Sequence, residues 1–263
     1  MKKSVRLRLI QSITVMALLA TAAVAGAGTT LTANQALSTL LSGNSPYLTG
    51  NFAALSKNAQ PAVRTTLVAG QSPYAVILGC SDSRVSPEII FDKGLGEVFP
   101  VRVAGNIIAD HEIGTIEYGV EHLCAPLVVV MGHTKCGAVT AAVNTFLPQL
   151  VTSGHVVTPA LVPPVGGNYI NSLLNTLIPP VNSAYLLVGN TSPLIDTAID
   201  ENIKFTAADL LVKSAIVKEA VEVGMPAACI TPLGSLPVGA KARLVGAKYD
   251  VTTGKVSLVP LAP

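Results

Sequence analysis

Two uninterrupted apolar runs stand out along the chain: Tyr74-Ala75-Val76-Ile77-Leu78 and Leu127-Val128-Val129-Val130-Met131. Each has the length and β-rich composition of a strand buried on both faces, which is how parallel sheets read in sequence. Residues 74–79 form the first predicted core strand, and the later run ends at His133. Glu97 to Val103 reads as another strand, after the turn Asp92-Lys93-Gly94-Leu95-Gly96. Arg243 to Tyr249, the turn Thr252-Thr253-Gly254 and Lys255 to Val259 read as a terminal hairpin. Helical spacing fills the intervals. Ala33 to Leu41 places Leu37, Leu40 and Leu41 on one face and stops at Gly43-Asn44. Ser86-Pro87-Glu88 opens a short helix, with serine at the N-cap and proline at the first helical position. Ile113 to Leu123 and Gly137 to Phe146 read as helices. From Asp200 a further helix presents Phe205, Ala208, Val212 and Ile216 as its apolar face and ends at Gly224. The expected fold is α/β: a mostly parallel central sheet, four parallel strands plus an antiparallel edge strand, flanked by helices.

Composition adds an address. The chain has 263 residues, enough for one α/β domain, with 50% hydrophobic and only 12% charged residues. Met1-Lys2-Lys3-Ser4-Val5-Arg6-Leu7-Arg8 is a basic start, followed by an apolar stretch from about Ile13 to Val24 and the small residues Ala23-Val24-Ala25. Residues 1–25 therefore read as a secretory signal, leaving a single domain over 26–263 that is periplasmic or secreted. No stable membrane insertion is expected after cleavage. The net charge of +2 falls further without the basic start, and with 4% aromatics and no tryptophan nothing points to nucleic acid. From Gly137 through Ile195 there is no Asp, Glu, Lys or Arg, but there are seven prolines and the lone His155. A disordered linker would normally carry charge, so this reads as a neutral, partly helical excursion. An uncharged span of that length is hard to leave in water, which predicts a homo-oligomer, a dimer or larger.

The chemistry lies where the two apolar runs end. Gly79-Cys80-Ser81-Asp82-Ser83-Arg84-Val85 and Gly132-His133-Thr134-Lys135-Cys136-Gly137-Ala138 follow them directly. Open α/β sheets place their ligands just past the carboxyl ends of strands. Cys80, His133 and Cys136 offer two thiolates and an imidazole, a set that suits tetrahedral zinc and leaves one position open. Three protein ligands is the catalytic pattern rather than the structural one.

Cys-x-Asp-x-Arg, followed about fifty residues later by His-x-x-Cys-Gly, resembles the β-class carbonic anhydrases. Gln71-x-Pro, Glu97-Val98-Phe99, Val101-Arg102, Ala104-Gly105-Asn106, Ile116-Glu117-Tyr118 and Val245-Gly246-Ala247-x-Tyr249-Asp250 extend the likeness over about residues 34 to 258. The span at about 147–195 diverges. The resemblance implies an exported bacterial carbonate dehydratase of β-carbonic anhydrase-like fold with one Zn2+ per subunit. It would hydrate carbon dioxide to bicarbonate and a proton by attack of zinc-bound hydroxide. Asp82, held by Arg84, would orient that nucleophile; Gln71, Phe99, Tyr118 and the Gly137 N–H would form the substrate pocket, some of them from a neighbouring subunit. His122 would carry protons, with His111 as a competitor. The resemblance also implies that the Ala33–Leu41 helix lies across a partner subunit, with packing on its own domain the alternative left open by the sequence. Carbonyl sulfide and carbon disulfide hydrolases share this fold and these ligands, and a zinc-binding protein without turnover is the remaining alternative. The same strand order puts Cys124 and Cys229 near the amino ends of neighbouring strands, where they either form a disulfide or stay free as core thiols.

Overall fold

The computed structural model describes residues 28–153, 169–231 and 234–261. The expected signal segment and His155 lie outside the described residues. Five strands form one sheet: β1 (Ala75–Gly79), β2 (Val98–Arg102), β3 (Leu127–His133), β4 (Arg243–Tyr249) and β5 (Val256–Val259), in the order β2-β1-β3-β4-β5. The first four are parallel, and β5 pairs antiparallel with β4. The architecture agrees with the expectation from the apolar runs. Every residue of β1 and β3 is buried, as runs without polar alternation require.

Strand alternation splits the core into two layers. Val76, Leu78, Val128 and Val130 face one side, under helices α6 (Asp110–Glu121), α7 (Gly137–Ser153), α9 (Ile178–Val188), α10 (Leu194–Lys213) and α11 (Ala215–Glu222). Ala75, Ile77, Val129 and Met131 face the other, under α1 (Ala33–Ser42) and α5 (Pro87–Ile90). Between them run α2 (Asn44–Thr49), α3 (Ala53–Asn58) and α4 (Pro61–Thr66), and α8 (Tyr169–Thr176) precedes α9.

Two expectations are corrected here. Leu37 and Leu40 of α1 pack on this chain's own sheet, in the layer of Tyr74, Ile77 and Met131. Asn44 locks that end of the chain down: its Nδ2 donates to the Ile90 and Gly254 carbonyls, and its Oδ1 accepts the Val256 N–H. The apolar face is therefore satisfied within one subunit. The second correction concerns the helix expected from Asp200 to Gly224. It is two helices broken at Ser214, whose hydroxyl caps α11 by accepting the Val217 N–H and donates to Glu117 Oε1 at 2.7 Å. Its orientation is also reversed. Phe205, Ala208 and Val212 are exposed, while Ile199, Ile203, Ala207 and Leu210 are buried together with Glu201, Asn202 and Thr206.

Among the described residues, the neutral middle carries the helices α7, α8 and α9. Val151, Tyr169, Ile170, Leu186 and Leu187 on α7, α8 and α9 stand exposed to solvent. The Cys124–Cys229 disulfide is present and joins the segment ahead of β3 to the short turn Ala227–Cys229. Of the two arrangements open in the sequence, the structure has the bridge.

Candidate metal centre

Cys80 follows β1 directly, His133 is the last residue of β3, and Cys136 precedes the first residue of α7. The parallel register aligns Gly79 with Met131, so both loops leave the sheet at the same edge. One ligand atom from each of the three residues falls within 4.8 Å of the others, and all three side chains are buried. Among the described residues this is the one such cluster of metal-ligating groups.

Each ligand is prepared by its surroundings. His133 Nδ1 lies 3.0 Å from the Thr134 carbonyl, which fixes the proton on that nitrogen. Its Nε2 is then a bare lone pair, fully buried and without a hydrogen-bond partner. A buried acceptor left unpaired is costly, and a metal ion at that point would satisfy it. The Cys80 sulfur faces the Cys136 thiol and accepts N–H groups from Gly105 at 3.3 Å and Asp82 at 3.4 Å. Donation from the Cys136 thiol and these amides outweighs burial and pulls the Cys80 thiol well below its usual range. Cys136 is pushed upward by facing that thiolate and by burial, although the Ala138 and Val139 N–H groups of α7 counter this. Two thiols this close compete for one negative charge. A divalent cation between them lets both ionise, so the donor set fits zinc.

Beside the ligands sits the expected acid–guanidinium pair. Arg84 holds Asp82 with two bonds, Nε to Oδ1 at 2.9 Å and Nη2 to Oδ2 at 2.7 Å, and the Arg84 N–H adds a third at 2.9 Å. These bonds hold the Asp82 carboxyl well below the usual carboxylate range, against the cost of its desolvation. Asp82 Oδ2 lies 4.0 Å from His133 Nε2, next to the ligand set but fastened to the guanidinium. Arg102, at the end of β2, clamps the same loop from outside, with Nε on the Cys80 carbonyl at 3.0 Å and Nη2 on the Asp82 carbonyl at 2.7 Å. No local motif marks Arg102 for this part. Only the fold shows that it spans 22 positions to this loop.

The remaining expected site residues divide by location. Gly137 opens α7 beside the ligands, with open space around its Cα. Phe99, Tyr118 and His122 gather elsewhere, their rings 6.1 Å and 5.2 Å apart in sequence order. Phe99 pairs with Val76, four residues before Cys80, or about 13 Å back along the strand at about 3.3 Å per residue. Exposed Gln71 precedes the same end of β1. His122 is exposed, with Nε2 3.7 Å from Glu121 Oε2. Within one subunit these four residues do not reach the metal ligands. A cavity of about 500 Å3 lies between α10 and the α8–α9 pair, lined by Ile107, Pro179, Asn202, Phe205 and Val212. None of the expected site residues lines it.

A mostly parallel sheet with cysteine, histidine and cysteine converging past its strand ends defines a class: an open α/β protein with three side chains placed to hold a metal ion. A family model described as carbonic anhydrase matches residues 75–256, and the chain belongs to that family, in its β class. Carbonic anhydrase 2 of Mycobacterium tuberculosis is 34% identical over 197 residues, covering 74% of this chain and 78% of that protein. A carbonic anhydrase of Mycolicibacterium smegmatis is 30% identical over 221 residues, covering 83% of this chain and 89% of its own. In structure the chain is similar to a β-carbonic anhydrase of Aspergillus fumigatus, at 25% identity, TM-score 0.55, and 77% and 83% coverage of the two chains. A Coccomyxa β-carbonic anhydrase superposes with TM-score 0.57 at 24% identity, covering 76% of this chain and 78% of that one, a likeness of fold.

Proposed function

We propose that this chain hydrates carbon dioxide reversibly to bicarbonate and a proton, with one zinc ion per subunit held by Cys80, His133 and Cys136. The observation that carries the reading is the unpartnered, fully buried Nε2 of His133 facing two buried cysteines. When bound, zinc supplies the Lewis acidity that lowers the pKa of a water from 15.7 toward about 7. Asp82 Oδ2, kept ionised by Arg84, accepts a hydrogen bond from the attacking oxygen and turns its lone pair toward the substrate. Arg84 keeps that carboxylate from rotating, and Arg102 holds the Asp82 backbone carbonyl. The Gly137 N–H, at the start of α7, is a donor for a bicarbonate oxygen.

Gln71, Phe99, Tyr118 and His122 enter this mechanism across a subunit boundary. Gln71 donates to a substrate oxygen, Phe99 and Tyr118 wall the pocket, and the exposed imidazole of His122 carries the proton away. Their grouping at the far end of the strands from their own ligands supports an oligomer in which each site is completed by a second copy. Exposed Leu186, Leu187, Tyr169 and Ile170 on uncharged helices support the same reading. The Cys124–Cys229 bridge supports a periplasmic or secreted protein, because such bonds persist in oxidising compartments.

The test is metal content together with carbon dioxide hydration by stopped flow on the purified protein, with carbonyl sulfide and carbon disulfide assayed alongside. Cys80→Ala and Cys136→Ala are expected to lose zinc and activity together. Full activity without metal would end the reading, and faster turnover of carbonyl sulfide would move the protein to the hydrolase alternative.

A further inference from the structure

The buried face of α10 carries a polar side chain that reaches the frame of the metal site. Asn202 is 2% exposed, and its Nδ2 donates to the Gly105 carbonyl at 2.7 Å. Gly105 is the middle residue of a short 3-10 turn, Ala104–Asn106, that follows β2. Its φ is +74°, and Asn106 after it has φ +43°. Two successive left-handed residues, the second not a glycine, make a sparsely populated backbone that persists only where its surroundings over-determine it.

The surroundings are specific. Val103 donates to the Gly79 carbonyl and accepts from Ser81, so the turn starts against the loop that bears Cys80. The Asn106 N–H returns to the Val103 carbonyl at 3.0 Å. A Cβ on Gly105 would lie 3.2 Å from Ala138 Cβ and 3.5 Å from Leu177, so the turn is pressed against the first turn of α7. The outward pull on its carbonyl comes from Asn202. The N–H on the same residue donates to Cys80 Sγ. The other amide at that sulfur, from Asp82, belongs to the cysteine's own loop; the Gly105 donor comes from a different strand and has to be aimed.

We propose that Asn202 is a positioning residue of the metal centre: by holding the Gly105 carbonyl it aims the Gly105 N–H at the Cys80 sulfur. This rests on the reading of Cys80 as a zinc ligand. An N–H donor draws charge from a thiolate, leaving the bound ion more positive and the sulfur fixed in direction. Alanine at 202 leaves the Gly105 carbonyl buried and unpaired. Aspartate keeps the shape but turns acceptor oxygens toward that carbonyl. Either change frees the turn from its strained conformation, and Cys80 loses the donor.

The experiment uses the purified mature protein, with zinc affinity measured by chelator competition and the thiolate-to-metal charge-transfer band recorded after cobalt substitution. Wild type is measured first, and failure to bind either metal would sink the ligand reading itself. With wild type binding normally, Asn202→Ala and Asn202→Asp are expected to lose tenfold or more in zinc affinity and to shift the cobalt band. Leu210→Ala, buried on the same helix, is the control for lost packing alone and should lower Tm while leaving both readouts at wild-type values. Asn202 variants with wild-type affinity and band, or a control that moves them equally, would overturn the proposal. A further measurement needs no variant. In wild type loaded with cadmium-113, a scalar coupling is expected between the metal and the Gly105 amide proton, and its absence would equally overturn the proposal.

Discussion

Asp82 is held in place by hydrogen bonds that its chemistry needs. With Arg84 on both carboxylate oxygens its pKa is depressed, so it stays charged at every pH where hydration could run. The Asp82–Arg84 interaction contributes stability above the unfolded value of about 3.9, and that contribution disappears as pH falls through the lower folded value. Asp82→Asn should therefore keep its zinc but lose hydration by about a hundredfold or more, the scale of a positioned acid–base group. Its acid-unfolding curve should differ from wild type only above the folded pKa of Asp82. A zinc-free Asp82→Asn protein would instead make Asp82 part of the metal site. The ligands and this pair were all legible in the sequence, because Cys-x-Asp-x-Arg and His-x-x-Cys are local strings. Arg102 and Asn202 were not. Each acts on a backbone group 20 or more positions away, and no spacing rule marks such a partner.

At the scale of elements, α10 shows why a helical stripe can mislead. Phe205, Ala208 and Val212 satisfy the helical period, but the buried stripe runs through Ile199, Ile203 and Leu210. That stripe also carries Glu201, Asn202 and Thr206, polar residues that sequence reasoning assigns to solvent. Glu201 and Asn202 are tolerated inside because hydrogen bonds satisfy them: Ser183 and, on the same helix, Lys204 for Glu201, and the Gly105 carbonyl for Asn202. The break between α10 and α11 has a similar origin. Ser214→Ala should cost about 1 kcal/mol for the lost cap and more for the stranded Glu117 carboxylate, read as a lowered urea midpoint. The disulfide is a second element-level device. It closes a separation of 105 residues, and chain-entropy reckoning gives about 4–5 kcal/mol for a loop of that length. Denatured, metal-free protein should show two free thiols, and four would exclude the bridge. Cys229→Ser should unfold at a markedly lower denaturant concentration without losing zinc, since the bridge shares no atom with the ligand set.

At the scale of the whole molecule, two features bear on the proposed assembly. Exposed leucines on an uncharged helical layer, and an aromatic cluster stranded from its own metal ligands, both point to a second copy. Light scattering should give a dimer or larger at micromolar concentration, and a stable monomer would refute the shared site. His122→Ala should then slow turnover most in weak buffer, with imidazole restoring it. If His111→Ala does so instead, the proton leaves from the first turn of α6. The sequence by itself determined the sheet of parallel strands with its antiparallel edge, and the meeting of Cys80, His133 and Cys136. Those features follow from continuous apolar runs and from motifs placed directly at their ends, where local chemistry and strand direction suffice. Only the tertiary structure decided which face of α10 is inside, that α1 packs on its own sheet, and that Phe99, Tyr118 and His122 lie away from the ligands of their own chain. The reason is physical. A helix presents more than one plausible face, and strand register fixes how far apart two residues lie. Both are settled by contacts between segments that no single stretch of the chain contains.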